Sequence, residues 1–391
     1  MTTSFDDDIV EDDVPHVHNL IMRARGALTG LALGDALGMP TQSMSPAQID
    51  QYYGGPVTKL MDAVPEQPIA PNMPAGSVTD DTEQAFVLAN RLINDNKTLI
   101  SDETDVHARL DAPAAVIDTG GLAMPPRPRL DNDRYAKDLL VWEAAMKARG
   151  SLDLLGPSTK AALQALTEGV PIDETGRYGT TNGGAMRAAP IGIAFSMKAP
   201  DRLLAKMAQE SCLVTHNTTQ GIEATTLVAA AVSLGMGGDD DPLAHALEYV
   251  AGLPGRGYWS PKASVLARTR YFLEWSRSSA ATALDDDQFA AALRVDCGTS
   301  VEANESVPAA FATAARFMTN PTRALCFAAS LGGDTDTIAA ITGAILGAQY
   351  GPDAFCEDKR VPVVTRLKDI NRLDIDSTAI GLVRLRLATM Q

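Results

Sequence analysis

The chain has 391 residues, 45% of them hydrophobic but only 5% aromatic, so its core must be built from Ala, Leu, Val, Ile and Met. That composition suits closely packed helices better than a β-sandwich, which draws on aromatic and β-branched residues. A net charge of −16 and an isoelectric point near 4.7 argue against DNA, RNA or an anionic membrane surface as a partner.

Residues 1–17 are acidic, lack the basic and apolar stretches of a signal peptide, and read as a disordered tail. Apolar residues at helical spacing (Leu20, Ala24, Ala27, Leu28, Leu31) then predict a helix to Leu37, broken by the stretch Gly34 to Pro40. Prolines and glycines from Gly54 to Gly76 mark an irregular connection. From Asp80, the residues Ala85, Phe86, Leu88, Ala89, Leu92 and Ile93 share one face and predict a helix. Residues 112–130 are too rich in Pro and Gly for regular structure and read as a lid or surface loop. Further helices are expected at 134–148, 157–168, 200–211, 219–235, 241–252, 261–278, 286–294, 305–318, 321–330 and 335–349. The last is dense in small residues, which lets neighbouring helices approach closely. No strand alternation, internal repeat or linker stands out, and the apolar run Ile338 to Ala348 is too short to span a bilayer. Cys212, Cys297, Cys326 and Cys356 form no C-x-x-C pair and read as reduced thiols of a cytoplasmic protein. The expectation is one all-α domain over residues 18–391.

Two similar stretches carry the chemistry. Thr79-Asp80-Asp81 and Asp334-Thr335-Asp336-Thr337 each open an expected helix. Helix capping explains either one alone, since Ser, Thr and Asp satisfy the free N–H groups of a first turn and complement its dipole. Capping needs one such oxygen, however, and each stretch supplies two carboxylates plus hydroxyls. Four carboxylates in one place repel one another, and hard divalent cations remove that cost. Sequence alone does not show that the two helix starts converge.

Seven segments, in order, resemble the ADP-ribosylglycohydrolase family, which includes the dinitrogenase-reductase-activating glycohydrolases and crystallin-like relatives. They are RGALTGLALGDALG (25–38), GSVTDDTEQAFVLA (76–89), GPSTKAALQAL (156–166), TNGGAMRAAPIG (181–192), THNTTQGIEA (215–224), ESVPAAFATA (305–314) and LGGDTDTIAAITGAILGAQYG (331–351). The resemblance implies a compact orthogonal multi-helix bundle with two Mg²⁺ or Mn²⁺ ions held by Thr79, Asp80, Asp81, Asp334, Asp336 and Thr337. It implies hydrolysis at the anomeric carbon of a ribose, with Asp80 or Asp336 orienting the attacking water. By the same resemblance Gln42, Thr180, Thr181, Asn182, Gly183, Gly184 and His216 line the substrate pocket. Read from the residues alone, Gly183-Gly184 is as readily a turn before a helix, His216 a core histidine, and Arg187 a buried partner of one of the acids. Asp35 reads as a buried, hydrogen-bonded residue supporting the site.

The chain departs from the family pattern twice. Gln42 stands where many members carry a glutamate in a mobile flap, and an amide cannot act as a carboxylate base. Leu154 stands where dinitrogenase-reductase-activating members carry an aspartate, with Asp153 one position off. Three functions therefore remain: hydrolysis of ADP-ribose conjugates, hydrolysis of a nucleoside or ribosylated metabolite, and a catalytically silent binding role.

Overall fold

The computed structural model describes residues 14–101, 127–149, 155–355 and 363–390. The principal helices are α1 (Val14–Gly38), α2 (Pro46–Tyr53), α3 (Asp80–Asp95), α4 (Asn132–Ala148), α5 (Pro157–Thr167), α6 (Leu203–Cys212), α7 (Thr219–Met236), α8 (Pro242–Ala251), α9 (Val265–Ser276), α10 (Ala303–Arg316), α11 (Pro321–Ala329), α12 (Thr335–Tyr350), α13 (Val363–Asn371) and α14 (Ile375–Met390). Among the described residues there is no strand, only three isolated bridges: Met44 with Gly333, Thr181 with Glu302, and Thr218 with Tyr258. Among the described residues no helix is long and apolar enough to cross a membrane.

The core is organised by the crossing of α1 and α12, the most extensive helix pair among the described residues. Glycine recurs every fourth residue along α1, at 26, 30, 34 and 38, and so lines one face. A Cβ at Gly26 would lie 2.1 Å from the carbonyl oxygen of Gly347. At Gly30 it would lie 2.0 Å from that of Gly343, and at Gly34 2.1 Å from that of Ala339. The two backbones thus touch without side chains between them, within reach of Cα–H···O contacts. At the end of this ladder, a Cβ on Gly38 would meet Asp336 Cα at 2.4 Å. The crossing therefore fixes the first turn of α12, where the second aspartate stretch lies, against the end of α1.

α1 begins at Val14, inside the expected tail; residues 1–13 lie outside the described residues, as do 112–126 of the expected lid. Three helices escape the periodicity argument: α2, α13 and α14. α2 is an eight-residue helix opened by a capping box between Ser45 and Gln48. α14 is buried on several sides, and its pattern is broken by Arg386, which is nevertheless buried. That guanidinium donates to the carbonyl oxygens of Gly192, Ile193 and Ser233, and burial lowers its pKa to about 10. An arginine inside the core mimics a solvated face in the sequence.

Candidate functional site

The two aspartate stretches meet in the interior. Asp80, Asp81, Asp334 and Asp336 are all buried, and Asp336 is fully enclosed. Burial first, and then the charges of neighbouring aspartates, push the carboxyls of Asp80, Asp81 and Asp336 well above the ordinary range. For Asp336 those neighbours are Asp334, Asp81, Asp35 and Asp80, so both halves act on one another. Burial also raises Asp334, against hydrogen bonds from Asn182 and Thr337. Among the described residues, none of these four aspartates nor Asp35 forms an ion pair with Lys, Arg or His.

Neither helix start uses these residues as caps. Thr79 is the N-cap of α3 and Asp334 that of α12, yet neither side chain makes a capping bond. α3 is capped instead by Asp35 of α1, whose carboxylate accepts from Thr79 N (3.0 Å), Thr82 N (3.1 Å), Thr79 Oγ1 (2.8 Å) and Thr82 Oγ1 (2.6 Å). Burial raises this carboxyl to about 6, opposed by those same donors. Asp35 is saturated by the protein, so the cap of α3 does not draw on Asp80 or Asp81.

The other carboxylates are partly held and partly free. Gln84 Nε2 donates to Asp80 Oδ2 at 3.1 Å, and Asn182 Nδ2 donates to Asp334 Oδ2 at 2.5 Å. Among the described residues, Asp81 Oδ1 and both oxygens of Asp336 are buried with no hydrogen-bond partner. A buried carboxylate without partners is costly. Three orphaned, inward carboxylate oxygens beside threonine hydroxyls form an all-oxygen donor set of the kind that hard divalent cations take.

The loops that frame the site are pinned. Gly332 and Gly333 both take left-handed conformations (φ 81° and 82°), which turns the chain from α11 into the Asp334 stretch. Gly333 exchanges backbone hydrogen bonds with Ser43 and Met44. The segment carrying Gln42 is held as well: Thr41 Oγ1 donates to Ala329 O (2.6 Å), Tyr53 OH to Pro40 O (2.9 Å), and Gln67 Nε2 to Gln42 O (3.0 Å). The Gln42 side chain is buried, and among the described residues its Oε1 has no partner.

The expected pocket residues fall in one neighbourhood with differing jobs. Thr180 Oγ1 donates to Glu302 Oε2 at 3.2 Å, and Glu302 also binds Lys262. Gly183 and Gly184 have packing reasons of their own. A Cβ at Gly183 would lie 2.7 Å from His216 Cε1, and one at Gly184 2.4 Å from Thr225 Oγ1. His216 is fully buried between Thr215 and Thr181, and burial followed by the charge of Arg187 holds its pKa well below the usual value. Arg187 differs from its expected role: its partners are Gln84 and Thr215, and no acid pairs with it among the described residues. Leu154 and Asp153 lie outside the described residues. Gln84, Thr215 and Gln67 were not singled out from sequence. Only Gln84 had a signal, four residues after Asp80 on the same helix face.

A sequence profile of the ADP-ribosylglycohydrolase family matches residues 17–387. The uncharacterized protein YegU of Escherichia coli is 28% identical over 93% of this chain and 97% of its own length. Human ADP-ribosylhydrolase ARH3 is 28% identical over 86% of this chain and 88% of its own. A solved ADP-ribosylglycohydrolase-related protein complex shares the fold with a TM-score of 0.60, at 22% identity over 94% of this chain and 99% of that one. With the profile spanning nearly the whole all-α fold, the chain belongs to the ADP-ribosylglycohydrolase family of glycosidic hydrolases.

Proposed function

We propose that this protein is a binuclear Mg²⁺- or Mn²⁺-dependent hydrolase of a ribosyl glycosidic bond, acting on ADP-ribose conjugates. The observation that carries the reading is Asp336: a fully buried carboxylate with both oxygens unpartnered, facing Asp80, Asp81 and Asp334. Thr79, Asp80, Asp81, Asp334, Asp336 and Thr337 would hold the ions, which supply charge to acidify water and to bind sugar hydroxyls. The protein's own groups do the rest. Gln84 and Asn182 fix the Asp80 and Asp334 carboxylates, each through one oxygen. Asp336, free of protein donors among the described residues, or Asp80 would orient water toward the anomeric carbon and accept its proton. Burial keeps bulk water from competing with these contacts.

Gln42 favours a second reading, hydrolysis of a nucleoside or ribosylated metabolite, because its neutral amide replaces the acid of many family members. Metal-loaded protein should be assayed against ADP-ribosyl-arginine, ADP-ribosyl-serine, poly(ADP-ribose) and a nucleoside panel. Release of free ADP-ribose is the expected result. Release of ribose and a base would select the second reading instead. A protein that neither takes up Mn²⁺ in calorimetry nor turns over any of these is a binding protein.

Asp35 provides a further check on the scaffold. Asp35→Ala leaves four donors at the start of α3 without their acceptor. In saturating Mg²⁺ it is expected to cost about 2–4 kcal/mol in thermal or urea unfolding. A loss below about 0.5 kcal/mol would show that α3 does not depend on this cap.

A further inference from the structure

The approach to the first aspartate pair is held by a residue 293 positions further along the chain. Thr79, Asp80 and Asp81 follow directly on Gly76-Ser77-Val78, the end of the irregular connection that leads out of α2. Gly76 takes a left-handed conformation (φ 91°), so the chain turns there before it enters α3. Asn371, the last residue of α13, grips this turn on both sides. Its Oδ1 accepts from Val78 N at 3.0 Å, and its Nδ2 donates to Gly76 O at 2.8 Å. The same amide nitrogen donates to Leu367 O at 3.0 Å, one turn back on α13.

The chemistry of the partners fixes which way the amide points. A backbone N–H only donates and a carbonyl only accepts, so a flipped amide would lose all three bonds. Asn371 thus gives Gly76 and Val78 the two hydrogen bonds that one residue of a parallel neighbouring strand would give. The anchor is itself fastened. Leu367 is fully buried in the apolar cluster that also holds Val78, Val57 and Phe355. Lys368 and Arg25 both pair with Asp376 in the first turn of α14, which ties α13 to α1. α1 in turn carries Asp35, whose carboxylate takes Thr79 N and Thr82 N. The N–H groups of Val78 and Thr79 are therefore claimed by side chains from two helices fastened to each other.

We infer that Asn371 is a positioning residue for the divalent-cation centre: its clamp on Gly76 and Val78 sets the line on which Thr79, Asp80 and Asp81 enter the cluster. All three of its hydrogen bonds go to backbone and none to a carboxylate, so it acts on the ligands through the chain that delivers them. It also lies outside all seven segments by which the chain resembles its family. The clamp is independent of any function, whereas its effect on cations rests on the metal reading given above. Groups that orient metal ligands are worth about 10–100-fold in metal affinity. With Asp35 still holding Thr79, the lower end of that range is expected.

Hydrogen exchange and calorimetry on the full chain test this. In chelator, the Val78 amide should exchange far more slowly than in an unstructured peptide, and Asn371→Ala should release it. Mn²⁺ should bind Asn371→Ala about tenfold more weakly than the wild type. The near-isosteric Asn371→Asp should be weakened as much, because both donors are gone and a charge then faces two carbonyl oxygens. A merely structural role would lower the unfolding temperature in chelator and leave Mn²⁺ affinity where it was. A freely exchanging Val78 amide in the wild type would overturn the clamp. Unchanged Mn²⁺ affinity in Asn371→Ala, with Val78 released, would overturn the positioning role alone. A wild type that takes up no Mn²⁺ would sink the metal reading and the positioning role with it, so the two failures are told apart.

Discussion

Asp336→Asn is expected to remove divalent-metal stabilisation and turnover together, while leaving the metal-free protein at least as stable as the wild type. Both oxygens of Asp336 are buried without a donor, so in the absence of a cation the charge is a liability that an isosteric amide relieves. With a cation the sign reverses. At a metal concentration a hundredfold above Kd, binding stabilises the wild type by about 2.7 kcal/mol, and the variant forgoes most of that. Turnover should drop on the order of 10³-fold or more, since a lost carboxylate weakens both the ion's hold and the orientation of water. Thermal unfolding with and without Mn²⁺, run beside an activity assay, separates these effects. A metal-dependent shift that survives in the variant, or a variant less stable in chelator, would remove Asp336 from the metal set.

Gly30→Ala is the second large effect. The added Cβ would lie 2.0 Å from the carbonyl oxygen of Gly343, and the opposing atom is backbone. Relief requires α1 and α12 to move apart, and every other rung of the ladder then loses its contact. The expected cost is about 3 kcal/mol or more, out of a total stability of about 5–15 kcal/mol for a typical domain. Separating these helices also displaces Asp336 from Gly38, so metal affinity should fall in parallel with stability. Gly169→Ala makes a useful contrast, because a Cβ there meets nothing within 4 Å. Its positive φ of 87° still imposes backbone strain, which limits its cost to about 1 kcal/mol. Equal losses from the two changes would show that the ladder has no special role.

Those effects also show what the sequence could and could not reveal. The helices bearing the aspartates were legible because their apolar positions repeat at helical spacing and are flanked by turn residues, and α3 and α12 appear close to where they were expected. α14 escaped because Arg386 is buried against backbone carbonyls, and no local pattern distinguishes such an arginine from an exposed one. The aspartate stretches themselves were conspicuous, but capping and cation binding call for the same residue types at a helix start. In the structure the N-cap side chains of α3 and α12 do not cap, and Asp35 takes over at α3, which weakens the capping explanation. The hydrogen bonds of Arg187 to Gln84 and Thr215, and of His216 to Thr215 and Thr181, were illegible for a different reason. Most of them join separate elements, and long-range polar contacts leave no periodic trace. The glycine repeat of α1 was present in plain view, yet it acquires meaning only once Gly343 and Gly347 are seen opposite.

The α1–α12 crossing has a consequence for the order in which the molecule can form. Contacts between these helices pair residues as far apart as Arg23 and Gln349, 326 positions along the chain. Such pairings are slow to find, because the loop must close before they reward it. During synthesis α1 emerges with its bare glycine face, and Asp35, Asp80 and Asp81 emerge early, long before their partners. A nascent chain that has not reached Asp334 holds half of the carboxylates and none of the helix that docks them. On the proposed metal-binding reading, divalent-cation affinity would be acquired late and all at once, only after α12 has docked against α1.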